Sequence, residues 1–213
     1  MTEYVEWYND LQISKAKQAL EKNGFLVEVF SSGEQARDEF LARIDKKKSI
    51  GIGGSTTIKE IGLFQHLLNN DYNIINPYVP DLTREEIFTI RRKTLMADYL
   101  ITSSNAVTLQ GELVNVDGYS NRVAGIMFGP KKVYLFIGKN KIVYDMEAGI
   151  DRVFNYAAPI NAKRLHKKTP CVETGVCEDC NSEDRICNNL TVTMKQSIKD
   201  RINIFLINED LGF

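Results

Sequence analysis

Cysteine is missing from the first 170 residues of this 213-residue chain, and its four copies all fall between positions 171 and 187. Histidine is scarce as well: His66 sits in a helical pattern and His166 in a basic run, where core or surface roles are the ordinary ones. Neither sign of charge is in excess, with 27 basic against 28 acidic side chains and a net charge of −1. Without a surplus of Lys and Arg, a general nucleic-acid binder is excluded. Long hydrophobic runs are also lacking; stretches such as 133–137 fall far short of the ~20 residues that a membrane helix needs. The acidic opening MTEYVEWYND holds no apolar segment of the secretory type. The expectation is a soluble cytoplasmic protein with neither membrane nor nucleic acid as a partner.

What is present is ordinary globular material. An apolar fraction of 43% with 26% charged residues excludes a disordered or collagen-like chain. At roughly 150 residues per domain, the length fits one large domain or one domain with an appendage. Helical and strand-like patterns alternate throughout. Residues 3–23 are amphipathic, with Trp7 and the Tyr4/Tyr8 pair at helical spacing expected to pack inward, and Asn23-Gly24 supplies a stop. Strand signals at 25–30, 48–53, 72–75, 99–102, 106–109, 113–116, 133–137 and 202–207 are separated by helical stretches. Among the latter are 57–69, a segment opened by the Thr83/Glu86 capping box, and 146–158 with Pro159 as its end. Such alternation predicts an α/β fold with a mainly parallel sheet. The whole of 1–213 is expected to be one α/β domain, with a cysteine-rich insertion at 163–190 before the last strand.

Two polar segments are candidates for a ligand site. In Ser49-Ile50-Gly51-Ile52-Gly53-Gly54-Ser55-Thr56-Thr57-Ile58-Lys59 a strand runs through small residues into a helix start. Free N–H groups there, with the hydroxyls of Ser55, Thr56 and Thr57, suit an anion, although neither a Walker A loop nor GxGxxG is present. The plainer reading is tight packing and helix capping. The second segment, 103–122, places Glu112 after Gly111 and closes on Asp117-Gly118. Two carboxylates in one cleft can divide acid and base roles, whereas a hairpin turning at Gln110-Gly111 with solvated carboxylates is the plainer alternative. The candidate set is therefore Glu112 and Asp117 for chemistry. Gly53, Gly54, Ser55, Thr56, Thr57 and Lys59, with Asn105, Gly111, Asn115 and Asn121, are the candidates for binding.

The cysteines Cys171, Cys177, Cys180 and Cys187 have the spacing C-x5-C-x2-C-x6-C. Soft thiolates in one short loop suit an iron–sulfur cluster or zinc. Structural zinc sites usually show two close pairs, and the single pair here leans toward [4Fe–4S], with zinc as the alternative. Two disulfides and four idle thiols are the metal-free readings.

The chain resembles the LUD-domain family, formerly a domain of unknown function, whose members include a small lactate-utilisation subunit. The matching pieces are the strand–loop–helix at Gly53-Gly54-Ser55-Thr56-Thr57, Ala97-Asp98-Tyr99-Leu100-Ile101-Thr102, the 113–129 region, and the 133–138 strand followed by Asn140. The resemblance implies a three-layer fold similar to ribose-5-phosphate isomerase, glucosamine-6-phosphate deaminase and the CoA transferases, with phosphate or another anion at the glycine loop. Gln110-Gly111-Glu112-Leu113-Val114-Asn115 also looks like a strip in methylthioribose-1-phosphate isomerases, which would make Glu112 catalytic and Asn115 a phosphate contact. Those enzymes, however, carry a lysine where Val116 stands and use a cysteine that is absent here outside the cluster. The resemblance implies an accessory anion-binding subunit of lactate or 2-hydroxy-acid oxidation, working with Fe–S redox proteins. The alternatives are a stand-alone sugar-phosphate or CoA-ester enzyme using Glu112, or a non-catalytic anion-binding module with structural zinc. Substrate and oligomeric state are left open.

Overall fold

The computed structural model describes residues 2–213. The chain runs α1 (Glu3–Lys22), β1 (Leu26–Phe30), α2 (Gly33–Arg43), β2 (Ile50–Ile52), α3 (Thr56–Glu60), α4 (Leu63–Asn69), β3 (Ile74–Ile75), α5 (Arg84–Thr94) and β4 (Tyr99–Thr102). It continues with β5 (Ala106–Thr108), β6 (Leu113–Asp117), α6 (Asn121–Met127), β7 (Lys132–Gly138), β8 (Ile142–Val143) and α7 (Met146–Arg152). Last come α8 (Ala158–Arg164), α9 (Pro170–Thr174), β9 (Asn189–Thr193) and β10 (Ile202–Ile207).

Six strands form a parallel sheet in the order β1-β10-β7-β4-β2-β3. Its central strands are mostly apolar because both faces are covered, with Asn203 of β10 and Thr102 of β4 as buried polar exceptions. Val133, Leu135 and Ile137 of β7, with Ile202, Ile204 and Leu206 of β10, face Ile13, Ala16 and Leu20 of α1. The alternate residues Tyr134, Phe136, Phe205 and Ile207 face Phe40 of α2, Ile58 of α3, and Leu63 and Leu67 of α4. Each such large side chain contributes about 1.5–3 kcal/mol on full burial. The result is a helix–sheet–helix α/β fold.

The strands at 99–102, 106–109 and 113–116 belong to two sheets. β5 and β6 form an antiparallel hairpin, and β8 and β9 flank it in a second sheet of order β8-β5-β6-β9. Strand β9, which directly follows the cysteine segment, has too mixed a composition to stand out; its pairing with β6 gives it order.

Three further expectations are corrected. The helix expected over 57–69 is broken at Gly62, whose φ of 72° is left-handed and separates α3 from α4. Pro159 does not end its helix. The ladder widens into a π turn over Val153–Ala157, which accommodates the missing N–H, and α8 resumes around the proline. Tyr4, Trp7 and Tyr8 do not pack inward: Trp7 is 62% exposed, since only the second half of α1 reaches the sheet. Among the described residues no helix is long and apolar enough to cross a membrane.

Candidate functional site

A cavity of about 730 Å³ opens beyond the carboxyl ends of β2 and β4, where ligands gather in open α/β sheets. Its walls include the glycine loop, the end of β6, α5, α8 and residues 183–186. Gly53, Gly54, Ser55, Thr56, Lys59, Asn105, Asp117 and Asn121 from the sequence-derived set line it. Thr57, Gly111, Glu112 and Asn115 do not.

The glycine loop is shaped by close approach. A Cβ on Gly53 would lie 2.5 Å from Thr102 Oγ1, and one on Gly54 would lie 2.8 Å from the Tyr78 hydroxyl. Burial pushes the Tyr78 phenol up. Ser55 caps α3, its hydroxyl accepting from Ile58 N at 3.3 Å. With α3 only five residues long, a helix dipole supplies little of any attraction for an anion.

Side-chain charge takes that role. Lys59, Arg84, Arg91 and Arg164 line the cavity, with no carboxylate within salt-bridge distance of them among the described residues, while Lys167 pairs with Asp184 at 3.2 Å and Arg122 with Asp117 at 3.8 Å. Positive charge is thus gathered in one recess of a chain whose net charge is −1. Phe88 and Tyr119 stand edge to face at 5.1 Å on its wall, with the Arg91 guanidinium 5.0 Å above the tyrosine ring.

The polar strip is largely internal scaffolding. Arg122 spends both terminal nitrogens on the chain: Nη1 donates to Ser103 O and Asn115 Oδ1, and Nη2 to Asn105 Oδ1 and Val116 O. Asn115 is buried, and its amide donates to the Ser104 hydroxyl. Asp117 accepts from the backbone N–H of Arg122 and of Val123, which caps α6. β5 and β6 turn at Gln110-Gly111. Gly111 has a φ of 81° and lies against the Ala19 backbone of α1, and Glu112 accepts from the Thr108 hydroxyl at 2.9 Å, outside the cavity lining.

The sequence reasoning missed Lys141. It lies in the 3₁₀ turn Lys139–Lys141 after β7, is 3% exposed, and lines the cavity. Its Nζ donates to Thr57 Oγ1 at 2.9 Å and Ser103 Oγ at 3.0 Å. Burial, then Arg152 and Arg122, push the amine down to about 7. Arg152 donates to the carbonyl oxygens of Asn105 and Asn140 and lies over the Tyr156 ring. A position at the carboxyl end of a fully apolar strand was the signal that could have found the lysine.

All four cysteines are free and line one small cavity with Phe154, Ala162 and Thr169. Arg185 ties the loop together, donating to Cys180 O at 2.6 Å, to Cys187 O and to the Asp179 carboxylate. Asp179 N approaches Cys177 Sγ at 3.5 Å, and Thr169 Oγ1 lies 3.2 Å from Cys171 Sγ. Burial pushes the Cys187 thiol up, opposed by Arg185. Four soft donors lining one small pocket, an N–H directed at sulfur and a nearby guanidinium are the chemistry that a thiolate-bound metal needs. Among the described residues, however, no group of three or more His, Cys, Asp or Glu side chains is drawn together to metal-holding distance. Ala158, Arg185 and Ile186 belong to the walls of both cavities.

Comparison with known proteins agrees with this architecture. A protein of the DUF162 family from Deinococcus radiodurans, known from a crystal structure, is similar in fold, with a TM-score of 0.53 and 13% identity, over 93% of this chain and 98% of that one. No curated protein sequence matches. The family model described as the LUD domain matches residues 13–207, and the chain therefore belongs to the LUD-domain family.

Proposed function

We propose that this chain is an anion-binding subunit of 2-hydroxy-acid utilisation, with lactate as the reference compound, and that its four cysteines carry a metal centre serving redox partners. The observation that carries the reading is the cation-lined cavity in a chain of net charge −1, which shares a wall with the four-cysteine pocket through Arg185 and Ile186. The link to 2-hydroxy acids rests on the family resemblance; the cavity contributes the preference for an anion. Lys59, Arg91 and Arg164 supply charge, Gly53 and Gly54 leave room for close approach, and Arg122 holds the wall without spending its own donors on the ligand.

Cys171, Cys177, Cys180 and Cys187 would hold the metal centre, a [4Fe–4S] cluster in the leading reading and zinc in the alternative. A cluster supplies one-electron transfer, and Fe–S proteins of the same oxidation pathway are the matching partners. Nothing in the position of Glu112 favours the stand-alone isomerase or CoA-transferase reading, since its carboxylate is engaged at the hairpin turn. The deciding experiment is calorimetric titration of the anaerobically purified protein with lactate, pyruvate and inorganic phosphate. Saturable binding of at least one anion, weakened by Gly54→Val, is expected. Absence of binding to all three would remove the anion-binding reading.

A further inference from the structure

Lysine is seldom buried without a carboxylate beside it, yet Lys141 is 3% exposed and, among the described residues, its hydrogen-bond partners are two hydroxyls. The directions of those bonds define the state of its nitrogen. The Thr57 hydroxyl donates its hydrogen to Leu211 O at 3.3 Å, and the Ser103 hydroxyl donates to Ser104 O at 3.2 Å. Both oxygens are therefore acceptors toward Lys141. A neutral amine has two N–H groups, which these two acceptors satisfy, and one lone pair, which is left unengaged. An ammonium group would carry a third N–H with no acceptor among its bonded partners. Burial and the nearby cations Arg152 and Arg122 push the amine toward the same neutral state, and the Glu60 carboxylate, which accepts from Gly212 N, is the smaller, opposing influence. A lysine desolvated beside other cations is the arrangement that makes an amine nucleophilic.

We propose that Lys141 is a nucleophilic amine of the cavity, and that an anionic carbonyl compound of the 2-oxo-acid class condenses with it to form an imine. The inference rests on the anion-binding reading above and extends it by naming the ligand class. The step is a condensation without redox change. The Lys141 lone pair forms the C–N bond as the carbonyl π pair moves to oxygen, and one amine proton passes to that oxygen to give a carbinolamine. The second amine proton leaves with the hydroxyl as water, and the C=N bond forms. Thr57 and Ser103, each accepting from the nitrogen, hold it in place, and water in the cavity carries the protons from nitrogen to oxygen. The carboxylate of the 2-oxo acid offsets the charge of the surrounding cations.

Reductive trapping tests this without any assumption about turnover. The full-length protein is incubated with pyruvate and cyanoborohydride near neutral pH, and the product is read by intact mass and peptide mapping. Lys141 is expected to be modified at least about tenfold faster than any exposed lysine, because roughly half of its amine is unprotonated near pH 7. Lys141→Arg is expected to abolish the fast adduct. If that variant fails to fold, the wild-type peptide map still decides. Modification spread over surface lysines, or none, would overturn the proposal. Calorimetry with pyruvate separates the two ideas: binding without an adduct removes the imine alone, whereas neither binding nor an adduct removes the imine and counts against the anion site as well.

Discussion

Lys141 and Thr57, 84 positions apart in the chain, meet at 2.9 Å, amine to hydroxyl. The contact joins the turn after β7 to the helix after β2, so the two loops that border the cavity are held by one buried cation-forming group. Its protonation is therefore coupled to folding and to ligand binding alike.

The pH dependence follows with a definite sign. The folded amine titrates at about 7 against 10.5 when unperturbed. Across that window the unfolded chain carries a proton that the folded one lacks, so this group's contribution to stability rises with pH from about 7 to 10.5 and is lowest below 7. Chemical denaturation of the wild type and Lys141→Met, on both sides of that window, should show the difference between them growing in favour of the wild type as pH rises. A difference independent of pH would show that the amine is not perturbed.

Arg122 should matter more for stability than for direct ligand contact. Replacing it with Ala leaves Asn105, Asn115 and two carbonyls short of donors inside the fold, at an expected cost of about 3–5 kcal/mol. Arg122→Lys should recover only part, because one ammonium cannot reproduce the forked set of bonds. Urea denaturation measures both; a loss below about 1 kcal/mol for the Ala variant would contradict the scaffold role.

Ligand binding should distinguish the glycine loop from the hairpin. Gly54→Val places its side chain against the Tyr78 hydroxyl at the cavity wall, and phosphate affinity should fall by about tenfold or more, equivalent to ~1.4 kcal/mol. Glu112→Gln, outside the lining, should leave that affinity within about twofold, as expected for a change away from the site. Equal effects of the two in calorimetry would displace the ligand from this cavity.

Metal content decides the role of the cysteine pocket. Anaerobic purification should yield a brown protein with about four irons per chain if a [4Fe–4S] cluster is bound, and Cys180→Ser should lose most of the iron and the colour. Stoichiometric, colourless zinc would end the electron-transfer reading while leaving a structural centre. Four thiols titrating freely in metal-free protein would remove the centre altogether.

Much of the fold was legible because its signals are local. The continuous apolar run at 133–137 reads as a buried strand and is one, the strand signal at 202–207 pairs beside it, and the Thr83/Glu86 capping box forms as its spacing implies. Pro159 misled because the proline rule is local, whereas the π turn that absorbs it belongs to a longer helical segment packed on the second sheet. Tyr4 and Trp7 misled for a related reason: periodicity reports which residues share a face, not how far the partner surface extends.

The sequence alone determined the parallel α/β architecture, the glycine loop at the end of β2, and the gathering of four cysteines in one loop. These depend on neighbours in the chain, through strand patterning, turn chemistry and short cysteine spacing. Only the tertiary structure decided that Glu112 lies apart from the cavity, that Arg122 is a cross-link, and that Lys141 meets Thr57 and Ser103. The state of a buried amine is set by everything that surrounds it, and Lys141 draws its surroundings from segments that meet only when the sheet closes.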